Sequence, residues 1–158
     1  MKPLIVIISC LTLCISLQIN AQSNAIGLRL GGGSALGTEI SFQTPFAQNR
    51  GEFDLGLGGG SNWQTWKLTG LYQWVMPIEN NFYWYLGVGP SLGSWNYVGR
   101  HPTEKKEGIS LSVALNAGVE YRFSEIPIHA SLDIRPEIPI IYRGIYGWLL
   151  AIGVRYVF

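Results

Sequence analysis

His129 and Ser131 are the residues whose types and spacing come closest to nucleophilic chemistry. Two positions apart on an extended segment, their side chains share one face. A carboxylate such as that of Glu137 could orient the imidazole, and the imidazole could then withdraw the serine proton for an attack on an ester. The surrounding residues favour a different role. His129 and Ser131 alternate with Ile128, Ala130 and Leu132, and they share the phase of Asp133 and Arg135. That is the pattern of a hydrogen-bonded histidine on a polar inner face. No catalytic residue is assigned, and His129, Ser131 and Glu137 stand only as candidates.

Other chemistries find less support. His101 sits in the polar run Gly99–Glu107, but a histidine with no second ligand at a set spacing makes a poor metal site, so no metal is expected. The glycine triplets Gly31–Gly33 and Gly58–Gly60 are not followed by the Gly-Lys-Ser or Gly-Lys-Thr of a phosphate loop. Both cysteines, Cys10 and Cys14, lie near the start of the chain. The remainder can therefore hold neither a disulfide framework nor a thiolate site. No cofactor is expected.

The elements that carry these residues are legible from period. Across Ile109–Phe123 the odd positions are apolar or aromatic, and the even positions are polar or small. Setting Ala and Gly aside, twelve positions all fall in phase, and chance agreement would be on the order of 1 in 2,000. Period two is the signature of a strand with two unlike faces. Seven further segments repeat it, around Leu28, Ile40, Leu55, Leu68, Leu86, Leu132 and Ile152. The strands number eight, an even count, as single-chain bacterial barrels require. Short breaks are expected at Pro45–Arg50, Pro77–Asn81 and Ser124–Pro127. Turns are expected at the two glycine triplets, and longer loops at Trp95–Gly108 and Pro139–Gly147.

Composition says what the apolar face meets. Charged residues and aromatics each make up 13% of the chain, whereas soluble domains carry about 25% charge. Phe42, Phe53, Trp74, Phe82, Trp84, Tyr121, Phe123, Tyr156 and Phe158 fall toward one set of strand ends. Trp63, Trp66, Trp95, Tyr97, Tyr142, Tyr146 and Trp148 fall toward the other. Two aromatic belts match the two interfaces of a bilayer. The polar face then lines a narrow interior. It carries Arg29, Lys67, Arg122, Arg135 and Arg155 against Glu39, Glu52, Asp54, Glu120, Asp133 and Glu137. On lipid, an Arg or Lys at midplane would cost about 2–4 kcal/mol. Inside, these groups can pair into a network that fills the barrel.

The first 21 residues have the layout of a secretory signal. Lys2 is followed by the uncharged stretch Leu4–Leu17 and a polar exit ending at Ala21. At 14 residues, the stretch is shorter than the roughly 20 a spanning helix needs. Cleavage would leave Gln22–Phe158 as one barrel domain with ten basic and ten acidic residues. That balance gives no basic stripe for nucleic acid.

The ending Gly153–Phe158 resembles the C-terminal signal of outer-membrane β-barrel proteins. That signal has a terminal Phe and apolar or aromatic residues at alternate positions, here Val154, Tyr156 and Phe158, preceded by Leu150 and Ile152. The resemblance implies recognition by the barrel-assembly machinery and residence in the bacterial outer membrane, in contact with membrane lipid and lipopolysaccharide. The whole chain after residue 21 resembles the small eight-stranded members of that group. His129 and Ser131 also resemble part of the His, Ser and Glu set of the outer-membrane lipid A deacylases. Leu132 and Asp133 depart from the residues that follow the pair there, and the spacing to a Glu differs.

The expectation is an all-β, eight-stranded antiparallel up-and-down transmembrane β-barrel. Its leading role is structural, envelope-maintaining or surface-binding, toward a surface partner the sequence does not name. The alternatives are a lipid A-modifying hydrolase using His129 and Ser131, and a narrow conduit or ligand-binding barrel.

Overall fold

The computed structural model describes residues 24–31, 37–98, 105–141 and 149–158. The proposed signal segment, His101, Tyr142, Tyr146 and Trp148 lie outside the described residues. The strands are β1 (Ala25–Gly31), β2 (Thr38–Phe46), β3 (Asn49–Gly60), β4 (Trp63–Pro77), β5 (Phe82–Val98), β6 (Lys105–Arg122), β7 (Ile128–Arg135), β8 (Glu137–Ile141) and β9 (Leu149–Val157).

Sequential neighbours pair antiparallel, and β1 meets β9 from Ala25↔Val157 to Gly31↔Ala151. The contact of β5 with β6 completes a closed, eight-stranded barrel. Closure joins the two edges that an open sheet would expose, which is the condition a sheet must meet in lipid. Asn24 and Phe158 exchange both backbone bonds, at 3.0 and 2.8 Å, so the seam is bonded to the last residue.

Nine segments make eight barrel strands because β7 and β8 are halves of one. Both pair with β6, in a register that continues across Pro136 from Ala117↔Ile134 to Ala114↔Glu137. Pro136 has no N–H to give, but its carbonyl still accepts from Leu115 N at 2.9 Å. The register then slips between Leu111 and Ser112, and Ile140 is the extra residue. Extra residues of this kind are tolerated at barrel rims, where they bend the strand.

Several expected breaks are strand instead. The Pro45–Arg50 break shrinks to Ala47–Gln48, because β2 continues through Phe46 and β3 begins at Asn49. The second glycine triplet belongs to β3, Gly60 pairing with Trp63, and the turn is Ser61–Asn62. The Trp95–Gly108 loop is mostly hairpin, with Trp95↔Gly108 and Val98↔Lys105 in register. The start of the expected 139–147 loop lies in β8. At the β4–β5 turn the sequence is more direct. Asn80 and Asn81 take φ of 48° and 70°, and Phe82 N bonds to Glu79 O at 2.9 Å. Two left-handed residues in succession make a type I′ turn, whose twist matches the strands it joins and for which Asn is suited.

The molecule is inside-out. Among the described residues, the buried apolar side chains are Ala25, Leu71, Tyr85, Ala114 and Ala151 alone. Large apolar side chains line the outer wall on every strand, including Leu28, Ile40, Leu55, Leu68, Leu86, Leu115, Leu132 and Ile152. Soluble monomers rarely expose contiguous apolar patches beyond a few hundred Å². A wall of this kind requires an apolar solvent.

Candidate functional site: the buried charge network

Each barrel strand sends polar side chains inward from one phase of its alternation. Arg29 comes from β1, and Glu39, Ser41 and Gln43 from β2. Arg50, Glu52 and Asp54 come from β3, and Thr69 and Gln73 from β4. Ser91 comes from β5, while Ser112, Asn116 and Glu120 come from β6. Ser131, Asp133 and Arg135 lie on β7, and Arg155 on β9. Lys67 and Glu137 join them, slightly more open.

The central tier is built on three arginines. Arg135 donates to Glu39 at 3.0 Å, to Glu52 at 3.3 Å and to Asp54. Arg29 donates to Glu39 at 2.9 Å and to Asp133 at 2.6 Å. Arg155 donates to Glu52 at 3.2 Å, to Ser41 Oγ at 2.9 Å and to Ser131 Oγ at 2.8 Å. Gln43 Nε2 adds a bond to Glu52 at 2.6 Å. Above this tier Lys67 reaches Glu137 at 2.6 Å and Glu39 at 3.7 Å, and Ser112 Oγ donates to Glu137 at 3.1 Å. Below it Glu120 accepts from Arg50 at 2.6 Å and from Arg122 at 2.9 Å. An amide relay joins the tiers: Arg50 Nε donates to Gln73, Gln73 to Asn116 and Asn116 to Asp133, at 2.8, 2.8 and 3.1 Å.

Glycines make the space for these long side chains. The cross-strand partner of Arg155 on β1 is Gly27, and that of Arg29 on β9 is Gly153. Lys67 stands between Gly56 and Gly93. Gly118 lies between Tyr85 and Asp133, and a Cβ there would stand 2.6 Å from Tyr85 Oη and 2.7 Å from Asp133 Cβ. Long beside absent is the packing rule of this interior, because an eight-stranded barrel is only just wide enough for side chains. Ser41, Thr69, Gln73, Arg135 and Arg155 have no accessible surface. A side chain with none borders no water-sized space on either side.

The sequence-derived interior set of Arg29, Glu39, Glu52, Asp54, Lys67, Glu120, Arg122, Asp133, Arg135, Glu137 and Arg155 lies on this inward phase, with Arg122 the most open at 34%. Arg50 is absent from that set because Pro45–Arg50 reads as a break in the sequence. Its even number puts it in phase with Glu52 and Asp54, and that parity was the available signal. With it, six cations face six carboxylates.

The structure does not bring His129, Ser131 and Glu137 together. His129 and Ser131 both face inward, and Ser131 Oγ accepts from Arg155. Glu137 lies eight positions further along the strand, roughly 26 Å away at about 3.3 Å per residue, and is held by Lys67 and Ser112. The carboxylate near His129 is that of Glu120, at 3.8 Å from Nδ1.

Outside, Val154, Tyr156 and Phe158 are exposed on the apolar wall. Beside the turns, Phe46, Tyr72 and Trp74 stack edge-on at 5.9 and 5.1 Å. Phe82, Tyr121 and Phe123 form a second cluster at 4.7 and 4.8 Å. Trp66 is exposed on the outer wall at the far end, and Tyr97, exposed at the rim, shares the inward phase of its partner Trp63. Trp63 and Trp95 differ from the belt expectation. They fall on the inward phase and stand against Gly60 and Gly108, the glycines opposite them across the ladder.

No protein-family profile and no curated protein matches this chain. Solved structures do match in fold. Neisserial surface protein A (NspA) superposes with a TM-score of 0.60 at 16% identity, over 87% of this chain and 95% of its own. Ail, the attachment invasion locus protein of Yersinia pestis, gives 0.63 at 13%, over 87% and 97%. The N-terminal β-barrel domain of Pseudomonas aeruginosa OprF gives 0.64 at 13%, over 86% and 97%. The fold is that of small eight-stranded outer-membrane barrels.

Proposed function

We propose that this chain is an integral outer-membrane barrel with a non-enzymatic role in envelope structure or surface binding, and that its charged interior is a structural plug. The observation that carries the reading is the reversal of sides. Arg29, Arg135 and Arg155 have at most 2% of their surface accessible, while Leu and Ile side chains form the outer wall. Water on the outside would penalise that wall, and lipid on the outside rewards it.

The interior favours a plug over a conduit. Guanidinium groups are locked to two or three acceptors each at the central tier, and Arg135 and Arg155 there have no accessible surface. Nothing in the arrangement favours the hydrolase, since Ser131 is bonded to an arginine and faces away from lipid. Residues 1–21 act in this reading as a cleaved export signal. Val154, Tyr156 and Phe158 are the strand that the barrel-assembly machinery reads. The end with both described termini and the short turns faces the periplasm, by the rule that the longer loops lie outside. Lipid and lipopolysaccharide contact the apolar wall and its aromatic rims, and a surface partner would meet the opposite end.

The test is expression in a Gram-negative host with fractionation and unheated electrophoresis in SDS. Expected is an outer-membrane protein that migrates as a compact band until boiled. A protein that stays in the soluble periplasmic fraction and migrates identically with and without heating would refute the proposal. Lipid A that loses an acyl chain in a manner dependent on His129 would transfer the assignment to the hydrolase.

A further inference from the structure

The end of the barrel that carries the short turns is not filled. A cavity of about 270 Å³ opens there, lined by Arg50, Arg122 and His129 together with the neutral amides of Gln48 and Asn49. This is below the roughly 300–1,000 Å³ of pockets for drug-sized ligands, and suits a small group.

Charge is unevenly divided along the barrel. The central tier sets four carboxylates, Glu39, Glu52, Asp54 and Asp133, against three arginines. At the cavity two arginines share one carboxylate, Glu120, one on each oxygen. Glu52, the next carboxylate inward on the strand of Arg50, is taken by Arg135, Arg155 and Gln43. Counting Arg50, Arg122 and Glu120, the cluster at the cavity carries one positive charge in surplus, before any proton on His129.

Its donors are also incompletely used. Among the described residues Arg50 Nη2 and His129 Nδ1 have no hydrogen-bond partner, although both atoms are buried. A buried donor left unpaired is costly. Among the described residues Arg122 is hydrogen-bonded through Nε alone, and its guanidinium carbon stands over the Tyr83 ring, 3.9 Å from the centroid. With Nε committed to Glu120, the two Nη groups remain as a fork, the geometry that bonds two oxygens at once.

We infer that this cavity is an anion-binding site for a phosphate group, with Arg122 and Arg50 as the paired donors and His129 as the third. The phosphate is either free or the headgroup of a phospholipid, since the pocket opens at the end of the apolar wall where headgroups would lie. Val75 and Tyr83, also in the lining, provide an apolar side for the carbon of an ester.

The experiment is a titration of the purified chain, folded in maltoside micelles without phosphate, followed by the arginine Nε–Hε resonances. Inorganic phosphate and glycerol 3-phosphate are added separately, and sodium chloride serves at equal ionic strength. Expected are saturable shifts at Arg50 and Arg122 below ~10 mM ligand, with Arg135 and Arg155 unmoved. Arg122→Gln and His129→Gln should each weaken binding, the first by tenfold or more, while the heat-dependent band on SDS gels shows the barrel intact. Tighter saturation by glycerol 3-phosphate than by phosphate identifies the ester, and the reverse identifies the free ion. Shifts that are linear and matched by chloride, or that survive unchanged in both variants, overturn the site. The gel and the titration are independent, so a failed site leaves the barrel assignment standing.

Discussion

Replacing Arg135 by methionine should be among the most damaging changes available. Its guanidinium has no accessible surface and serves Glu39, Glu52 and Asp54 together. Without it, four central carboxylates face Arg29 and Arg155, with Lys67, 3.7 Å from Glu39, as the one further cation paired with them among the described residues. Breaking a buried pair by removing one partner costs about 3–5 kcal/mol, roughly two to three and a half powers of ten in the unfolding equilibrium. Arg135→Met paired with Asp54→Asn removes one of the stranded anions. The double variant should be less destabilised than the sum of the singles by about 1–3 kcal/mol, as expected for residues in direct contact. Urea unfolding of the barrel in lipid vesicles, followed by tryptophan fluorescence, gives all the required free energies. A cost below about 1 kcal/mol for Arg135→Met would refute the reasoning, because it would mean that water reaches the tier. So would strict additivity in the double variant.

Other expected outcomes use the same assay. Gly118→Ala should cost about 1–3 kcal/mol, because its new methyl meets Tyr85 Oη and Asp133 Cβ. Gly70→Ala should change little, since its methyl would rest at 3.6–3.7 Å from the Phe53 ring. Asn81→Val should cost about 1–2 kcal/mol through its φ of 70°, and Asn81→Gly should cost little or nothing. Leu132→Arg, in the middle of the outer wall, should cost about 2–4 kcal/mol in a bilayer. If it were tolerated as readily as a surface change on a soluble protein, the wall would not face lipid.

The alternation of apolar and polar positions was enough to read the strands, the count and the two faces. It succeeded because period two is local, and one face of each strand is uniformly apolar. The errors lie where a second strand decides. Gly58–Gly60 reads as a turn by composition, but the ladder from Gly58↔Thr65 to Gly60↔Trp63 holds it extended. Trp95 to Gly108 reads as a loop because Asn96, Arg100, Pro102 and the charged run interrupt the pattern. Pairing across the hairpin outweighs that interruption up to Val98 and from Lys105. Arg50 is hidden because Pro45 reads as a strand end, although β2 carries that proline in the ladder opposite Arg50. The companionship of glycines with arginines was not legible in principle. Gly27 and Arg155 are far apart in sequence and meet only through the β1–β9 register. The turn-end cavity is of the same kind, since Arg50, Arg122 and His129 converge from three strands.

The most direct measurement is methyl NMR of the chain in lipid nanodiscs, reading which side chains touch acyl chains and which touch water. Cross-relaxation from lipid methylenes to Leu28, Leu132 and Ile152 is expected, with those methyls shielded from a water-soluble gadolinium chelate. Broadening of the same methyls by the chelate, with no transfer from lipid, would contradict an inside-out barrel and leave the charged interior without its reason.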